Sequence, residues 1–252
     1  PKPDLVLVLG DRYELLEIIA PLVKSNLAIA HMHGGEITEG AFDDRIRHAL
    51  TKLSHLHFVS HESYKDRLLQ MGEEPFRVHV VGAPALDVLE PCPRPTKLTP
   101  TYILAVFHPV TIDPGHGHHQ LRELQAALDA VDMPVVVIGP NADPGSAVVD
   151  QAWRRWASGR ARVSYTNAVP PHRFWNLMAG ASVQVGNSSA GMIEAASFGL
   201  PVVNVGTRQQ GRFCPPNVIN VPCLAADIQE GIRQALDPAF AGLGWQDGES
   251  CP

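Results

Sequence analysis

The sequence has four cysteines, no long apolar run and no cluster of basic residues. The cysteines are Cys92, Cys214, Cys223 and Cys251. They are far apart and form no Cys-x-x-Cys pair, so we expect reduced thiols in a cytosolic protein rather than a disulfide framework. No apolar stretch approaches the ~20 residues of a bilayer-spanning helix, and the first residues lack the basic-then-apolar pattern of a signal peptide. We therefore expect a soluble, cytoplasmic protein with no membrane partner.

The charge balance argues against polyanionic partners. Lys and Arg number 20 against 26 Asp and Glu, which leaves a net charge of −6, and the basic residues form no runs. Such a chain is not expected to bind nucleic acid or an acidic membrane surface as its main partner. Hydrophobic residues make up 45% of the 252 residues, enough to bury the core of one large domain or two ordinary ones.

Apolar runs and amphipathic segments alternate in a rhythm typical of parallel strands joined by right-handed crossovers. The first series has predicted strands at 4–9, 27–32, 55–60 and 77–81, with helices at 13–23, from 43 or 44 onward, and at 61–71. The second has predicted strands at 102–107, 134–138, 162–165, 182–185 and 201–205, with helices at 119–131, 147–157, 172–178, 192–198 and 225–236. The strand at 4–9 is apolar throughout, as in a parallel strand covered on both faces. Prolines interrupt the periodicity at 84–100, which predicts a linker between domains at 1–83 and 101–252.

The helix that begins at Asp43 or Asp44 combines an apolar stripe with charged residues. Asp44 stands three residues before Arg47 and four before His48, which favours a charged face that can point into a cleft. An ordinary solvated face with surface ion pairs is the alternative. The predicted buried stripe consists of Ile46, Ala49, Leu50 and Leu53.

A glycine-containing turn, Gly186-Asn187-Ser188-Ser189, lies between the predicted strand at 182–185 and the helix at 192–198. Free N–H groups and the positive end of the helix dipole collect at a helix N-terminus, and two serine hydroxyls add donors suited to a diphosphate. A lone turn of this kind is more often a simple helix cap.

Three charged residues after the turn extend the pattern beyond a cap. Glu194 lies about one and a half helical turns further on, where a carboxylate suits a pair of ribose hydroxyls. Arg208 and Arg212 follow the predicted strand at 201–205 and supply two cations that can offset the charge of a diphosphate. The combined pattern predicts a site for a nucleoside diphosphate.

Three separated blocks of the sequence resemble one family. They are GDRYE at 10–14 with HGGEITEGAFDDRIRHALTKLSHLHFVS at 33–60, FHPVT at 107–111, and VGNSSAGMIEAASFGLPVVNVGTRQQGR at 185–212. In this order the blocks resemble the hydrolysing UDP-N-acetylglucosamine 2-epimerases that feed sialic acid and related nonulosonate synthesis. The resemblance implies an α/β fold of the GT-B type, with two Rossmann-like doubly wound domains facing a cleft.

The resemblance also implies functional residues in both domains. Asp11, Asp43 and Asp44 would serve proton transfer and water positioning. His108 would contact the phosphate or the leaving group, and it belongs with the catalytic set as well. The predicted UDP-binding set is Arg12, His108, Asn141, Ser188, Ser189, Glu194, Arg208 and Arg212.

The loop at His33-Gly34-Gly35-Glu36 departs from the pattern of many family members. Those members carry a glutamate, held to be catalytic, at the position of His33, whereas here Glu36 follows the turn. A subgroup of hydrolysing enzymes resembles the HGGE form, so we predict His33 as the acid or base with Glu36 nearby. The alternative is a neutral histidine that holds the loop by hydrogen bonds.

Two further loops carry polar residues without a defined role. The run from Gly115 to His119 has three histidines but no carboxylate or thiolate at ligand spacing, so we predict a loop over the sugar rather than a metal site. Asn141 to Gly145 follows a predicted strand, and the resemblance makes it a nucleotide-side loop, with a plain turn as the alternative. We expect no metal and no cofactor.

The chain begins at Pro1 and enters almost directly on a strand. Members of the family usually begin with two or three further strand-helix units and continue into a closing helix. We therefore expect an incomplete copy of the enzyme, with an incomplete N-terminal domain.

The sequence as a whole predicts a hydrolysing UDP-N-acetylhexosamine 2-epimerase. In the mechanism that the resemblance implies, UDP is eliminated, a glycal forms, and water adds to give N-acetylmannosamine or a diacetamido-sugar analogue. We expect a homo-oligomer, either a dimer or a tetramer. A GT-B glycosyltransferase and a non-catalytic nucleotide-sugar binding protein are the alternatives.

Overall fold

A computed structural model describes residues 3–39, 43–89, 102–109, 117–140 and 145–241. The chain divides into two compact units. The first unit holds the described residues up to Leu89 together with Gln210–Phe213. The second holds the described residues from 102 to 209 and from 214 onward.

The first unit contains alternating strands and helices. The strands are β1 (Leu5–Leu9), β2 (Ala28–Met32), β3 (Leu56–Val59) and β4 (Val78–Val80). The helices are α1 (Glu14–Lys24), α2 (Asp43–Lys52), α3 (Glu62–Gln70) and the short α4 (Pro84–Asp87), with a 3₁₀ turn at Pro75–Arg77.

The four strands of the first unit form a parallel sheet in the order β1-β2-β3-β4. Val8, Ile19, Ile29 and Leu50 form one buried cluster, which joins β1 and β2 to α1 and α2. Burying an aliphatic side chain of this size contributes roughly 1.5–3 kcal/mol, so this cluster holds both helices against the strands. Because β1 and β2 are parallel, the loops that follow them leave the same edge of the sheet. These loops carry the GDR and HGGE motifs.

The prediction that the first strand is covered on both faces is wrong for the described residues. Leu5, Leu7 and Leu9 are 44%, 55% and 59% exposed, whereas Val8 on the opposite face is buried. In the described part of the chain, β1 is an edge strand that pairs with β2 on one side. Within the described residues, no element covers the face that carries the three leucines.

The described residues of the second unit contain six strands. They are β5 (Ile103–Val106), β6 (Val135–Ile138), β7 (Val163–Thr166), β8 (Val183–Gly186), β9 (Val202–Val205) and β10 (Val218–Val221). Its helices are α5 (Gly117–Asp129), α6 (Ser146–Ala157), α7 (Pro171–Gly180), α8 (Ala190–Ile193), α9 (Ala225–Ala235) and α10 (Pro238–Ala241), with a 3₁₀ helix at Ala195–Phe198.

The order of the parallel strands in the second unit is β10-β9-β8-β5-β6-β7. The chain builds outward from β5 through β6 to β7, and then resumes on the other side of β5 with β8, β9 and β10. This is the Rossmann order, and its switch point lies between β5 and β8. Ligands of such sheets bind outside the carboxyl ends of the strands at the switch point.

Three elements of the second unit differ from the sequence prediction, and one of them is the four-residue α10, which was not predicted. The helix predicted at 192–198 is a four-residue α8 followed by a 3₁₀ helix that carries Ala195 and Ala196 into the core. Gly199, with φ of 57°, ends it. The strand β10 was not predicted, because its four residues lie between a proline-rich turn and a proline and are too few for a clear periodic signal.

Among the described residues, every helix is too short or too polar to cross a membrane.

Candidate active site

The turn after β8 and the segment after β5 are joined at the switch point of the second unit. The Asn187 side chain accepts a hydrogen bond from the His108 backbone N–H at 2.7 Å and donates one to the His108 carbonyl oxygen at 2.9 Å. The Asn187 backbone N–H donates to the carbonyl of Val106. Both residues are buried, so these bonds set the distance between the two strand ends in a water-poor environment.

Gly186 allows the two strand ends to approach this closely. Its φ is 138°, and a Cβ at this position would overlap the Val106 carbonyl oxygen. Only glycine adopts this conformation readily and leaves room for the neighbouring backbone. The glycine of the GNSS motif is therefore required by the packing of β8 on β5.

The carbonyl oxygen of Asn187 accepts two side-chain hydrogen bonds from the segment after β9. Arg208 Nη1 lies 3.0 Å from this oxygen, and Gln209 Nε2 lies 2.8 Å from it. Burial, with a smaller contribution from the Arg208 charge, lowers the pKa of His108 to about 3, so its ring is neutral at pH 7. Neither Asn187 nor Gln209 was predicted to have a role, although both lie within the motif at 185–212.

The serines of the turn have different surroundings. The Ser188 hydroxyl accepts a hydrogen bond from the Ala190 N–H at 3.3 Å, and Ser189 precedes α8 without a capping bond from its side chain. The helix after the turn has only four α-helical residues, so its dipole is smaller than that of the longer helix that the sequence predicted. Anion binding at this turn would depend on backbone N–H groups and hydroxyls.

Glu194 lies between α8 and the following 3₁₀ helix, where it is mostly buried. Trp175 Nε1 donates a hydrogen bond of 3.4 Å to its Oε1. Burial raises the pKa of Glu194, and the bond from Trp175 opposes that shift. The carboxylate thus retains acceptor capacity for a hydroxyl-bearing ligand.

In the first unit, two acidic side chains bind Arg47, which is 1% exposed. Its Nη2 pairs with Asp11, and its Nη1 lies 2.9 Å from Asp44 Oδ1. The same two nitrogens donate to the Glu36 carbonyl oxygen and to Thr38 Oγ1. The expected contact between Asp44 and Arg47 is therefore confirmed, but the alternative of a solvated face is wrong for Arg47.

The buried stripe predicted for α2 is only partly correct. Leu50 is fully buried and Ile46 partly so, whereas Ala49 and Leu53 are exposed. Arg47 and Thr51 take buried positions instead. The face that α2 buries therefore differs from the face predicted from its apolar residues. Arg47 can lie on the buried face because buried acceptors satisfy the charge of its guanidinium.

Glu36 is a buried carboxylate of this unit, and both its oxygens are bonded. Oε1 lies 2.7 Å from His33 Nδ1 and 3.3 Å from the Ser60 hydroxyl, and Oε2 lies 3.0 Å from Arg212 Nη1. Burial alone would raise the pKa of Glu36, but the Arg212 charge and the His33 hydrogen bond outweigh it and hold the pKa at about 2. Glu36 is therefore ionised at pH 7.

The segment Gln210–Phe213 belongs to the first unit although the chain on either side of it belongs to the second. The Phe213 N–H donates to the Tyr64 hydroxyl at 2.9 Å, and the Phe213 ring stacks on His61 with 4.0 Å between centroids. A Cβ on Gly211 would come within 2.5 Å of Ile37, so glycine is needed there. These contacts hold Arg212 beside Glu36. The prediction had placed Arg212 with the phosphate-binding residues of the second domain.

His31 links the two motif loops of the first unit. Its Nε2 bonds to the Gly10 carbonyl oxygen at 2.8 Å, and its Nδ1 lies 3.3 Å from Thr51 Oγ1. Burial lowers its pKa to about 4, and the bond to Gly10 opposes the shift. A neutral His31 thus fixes the backbone immediately before Asp11.

The remaining predicted residues belong to the first unit or lie outside the described residues. Arg12 is exposed and pairs with Glu14, and Asp43 is partly exposed at the first residue of α2. Asn141, Gly115 and His116 lie outside the described residues, whereas His118 and His119 lie in the first turn of α5, so the prediction of a loop is wrong for these two histidines. In the described part of the chain, no group of three or more His, Cys, Asp or Glu could hold a metal ion.

The fold and the strand-end loops define the chain as a two-unit, Rossmann-like α/β protein. It belongs to the UDP-N-acetylglucosamine 2-epimerase family, whose model matches residues 1–246. This confirms the family that the sequence motifs indicated.

Two curated relatives show the similarity in detail. The chain is 33% identical over 254 residues to the GDP/UDP-N,N'-diacetylbacillosamine 2-epimerase (hydrolyzing) of Campylobacter jejuni, covering 96% of this chain and 64% of the relative. It is 36% identical over 245 residues to the UDP-N,N'-diacetylbacillosamine 2-epimerase (hydrolyzing) of Legionella pneumophila, covering 93% of this chain and 64% of the relative. The chain thus spans less than two thirds of the length of these relatives.

Solved structures confirm the fold. The Neisseria meningitidis UDP-GlcNAc 2-epimerase bound to UDP-GlcNAc matches with a TM-score of 0.77 and 18% identity, covering 96% of this chain and 70% of that one. The Methanocaldococcus jannaschii UDP-GlcNAc 2-epimerase in complex with UDP-GlcNAc and UDP matches with a TM-score of 0.77 and 16% identity, covering 94% and 70%.

Proposed function

We propose that the protein carrying this chain is a hydrolysing 2-epimerase of a UDP-N-acetylhexosamine, either UDP-N-acetylglucosamine or a diacetamido analogue. Its products would be UDP and the free 2-epimeric sugar. Support comes from the two relatives named as hydrolysing 2-epimerases, at 33% and 36% identity. The side chains at the strand ends provide the chemical argument.

The observation that carries the proposal is the pair formed by His33 and Glu36. An ionised carboxylate can only accept hydrogen bonds, so His33 Nδ1, 2.7 Å from Glu36 Oε1, carries the proton of that bond. Neutral His33 then has its lone pair on Nε2, which makes Nε2 the basic nitrogen. The His33 side chain is 20% exposed, whereas Glu36 is buried, so the histidine is the member that a substrate can reach.

A base of this kind suits the first step of the reaction. His33 takes the proton from C2 while the bond between C1 and the UDP oxygen breaks, and a glycal with a double bond between C1 and C2 remains. Water then adds its hydroxyl to C1 and gives its proton to a carboxylate, which delivers a proton to C2 on the opposite face. His33 releases the proton that it took from C2 to solvent. In this proposal Asp11 and Asp44, which are 27% and 24% exposed, orient the water and return the proton.

The second unit supplies the nucleotide-binding residues in this proposal. The turn at Ser188 and Ser189 offers hydroxyls and backbone N–H groups to the diphosphate, and Arg208 offsets its charge. Glu194 accepts hydrogen bonds from the ribose hydroxyls. In this proposal Arg212 is the counter-ion of Glu36 and does not bind the phosphates, because its Nη1 already binds the Glu36 carboxylate.

The test is to incubate the protein with each UDP-sugar in deuterated water, without an acceptor, and to analyse the products by NMR. The proposal predicts free UDP and a free sugar of inverted C2 configuration that carries deuterium at C2. Epimerised UDP-sugar without UDP release would indicate a non-hydrolysing enzyme. Turnover that requires an acceptor would indicate a glycosyltransferase, and UDP binding without any turnover would indicate a binding protein.

A further inference from the structure

We infer that Arg47 is a positioning residue that fixes the carboxylates of Asp11 and Asp44 in their reactive orientations. The inference rests on the proposed function. It adds a residue that the motif comparison did not place in the catalytic set, and all the contacts that carry it lie within the first unit.

Arg47 makes an unusually complete set of hydrogen bonds. Its two terminal nitrogens carry four N–H groups. Nη1 donates to the Glu36 carbonyl oxygen at 2.8 Å and to Asp44 Oδ1 at 2.9 Å, and Nη2 donates to Thr38 Oγ1 at 3.1 Å and to Asp11 Oδ2. Because the guanidinium is planar and rigid, these bonds fix the directions of their acceptors as well as the distances.

These bonds join three segments that are distant in the sequence. Asp11 follows β1, Thr38 lies in the loop after β2, and Asp44 lies in the first turn of α2. The Thr38 N–H also donates to Asp44 Oδ1 at 2.9 Å, so that oxygen accepts two bonds. The other carboxylate oxygen of Asp44, Oδ2, does not bind Arg47 and lies 3.7 Å from His48 Nε2.

The burial of Arg47 favours a functional reason for its presence. A fully buried guanidinium is expensive to desolvate, and well-packed apolar side chains often stabilise a core as well or better. Both partner carboxylates remain about one quarter exposed, so Arg47 anchors one oxygen of each while leaving the group accessible. A side chain that served only as a core support would not need partly exposed partners.

The inference is tested with Arg47→Met, Arg47→Lys and Arg47→Ala, and with Arg45→Met as the matched control. Arg45 lies in the same helix but is exposed, so the control makes the same chemical change outside the network. Each variant is assayed for kcat, KM, UDP affinity, thermal midpoint and deuterium incorporation at C2. Arg47→Ala is also assayed with added guanidinium chloride at millimolar concentration, which is too dilute to denature.

We expect Arg47→Met to lose about 100-fold in kcat, the loss typical of misplaced catalytic groups. KM and UDP affinity should stay within about threefold of the wild-type values. A threefold change corresponds to less than half of the free energy of a tenfold change. Guanidinium should restore part of the kcat of Arg47→Ala. Lysine should rescue only poorly, because it cannot bind two carboxylates through a planar fork. Arg45→Met should match the wild type.

Wild-type kcat in Arg47→Met, or a loss of kcat that only follows the unfolded fraction, would overturn the inference. If the wild type itself shows no turnover, the proposed function fails separately. The inference is then tested by comparing the positions of Asp11 and Asp44 in crystal structures of the wild type and Arg47→Lys. Unchanged carboxylates in the variant would contradict it, and displacement of either by about 1 Å or more would support it.

Discussion

Asn187 holds both backbone polar groups of His108 with a single side chain, through bonds of 2.7 Å and 2.9 Å. The two residues are 79 positions apart in the chain but follow adjacent strands, β8 and β5. Because an amide offers a donor and an acceptor side by side, asparagine can pair with an N–H and a carbonyl at once. This pairing shapes the strand ends at which a Rossmann-like sheet binds its ligand.

Replacing Asn187 by Ala should remove the two side-chain hydrogen bonds to the buried N–H and carbonyl of His108. Each such loss costs about 1–3 kcal/mol, so we expect the unfolding free energy to fall by at least that amount in chemical denaturation. UDP affinity should also fall, because the turn loses its shape. Asn176→Ala, on the exposed face of α7, is the control and should change neither quantity. A variant with wild-type stability would show that the pairing is not structurally important.

Glu194→Ala should weaken UDP binding by about tenfold or more, since it removes the hydrogen-bond acceptor proposed for the ribose hydroxyls. Isothermal titration with UDP and with inorganic pyrophosphate separates the possible causes. The proposed ribose contact predicts a loss for UDP and little change for pyrophosphate. An equal loss for both ligands would mean that Glu194 acts by shaping the phosphate turn. The exposed Glu17→Gln is the control.

His33→Gln should lower kcat by about 100- to 10,000-fold, the range expected when a general base is lost. UDP affinity should be unchanged, because the proposed nucleotide contacts lie in the second unit. Steady-state kinetics and the rate of deuterium incorporation at C2 measure the effect. The exposed His172→Gln is the matched control. If His33→Gln retained turnover, the histidine would only hold its loop by hydrogen bonds.

Arg212→Met should leave Glu36 buried without its counter-ion, which costs about 3–5 kcal/mol in unfolding free energy. The double variant Glu36→Gln with Arg212→Met should recover part of that loss, because both charges of the pair are then removed together. Urea denaturation of the four proteins of this cycle tests the prediction. Additive effects of the two substitutions would show that the pair, 3.0 Å between Nη1 and Oε2, is not energetically coupled.

Acid should destabilise the protein below pH 6.5. Burial lowers the pKa of His31 from 6.5 to about 4, so between these values the unfolded chain takes up a proton at this position that the folded chain does not. The unfolding free energy therefore falls with falling pH, by up to about 1.4 kcal/mol per pH unit for each such histidine. His108 acts in the same direction, with its pKa lowered to about 3.

Glu36 adds to this loss at lower pH, because its folded pKa of about 2 lies below the ordinary 4.5. Its stabilising contribution is complete above pH 4.5 and disappears as the pH falls through 2. His31→Gln should lower the number of protons taken up on unfolding between pH 6.5 and 4 by up to one. The unfolding free energy measured with urea should then depend less on pH. His172→Gln should leave this dependence unchanged. Equal slopes in wild type and His31→Gln would contradict the buried neutral histidine.

The periodic apolar runs were sufficient to predict nine of the ten described strands, and the motifs identified the family. These features are local, because a buried strand or a tight turn imposes its pattern on neighbouring residues. The missed strand β10 and the shortened α8 show where the local signal fails: both elements have only four residues and are stabilised by packing on the sheet.

By itself, the sequence determined the alternation of strands and helices, the family, and the loops that carry polar side chains. Only the tertiary structure decided which of those side chains meet. It placed Arg47 inside the protein between Asp11 and Asp44, joined Asn187 to His108, and brought Arg212 to Glu36. The physical reason is that a charged or amide side chain is buried only where distant segments supply its hydrogen-bond partners, and no local pattern records those partners.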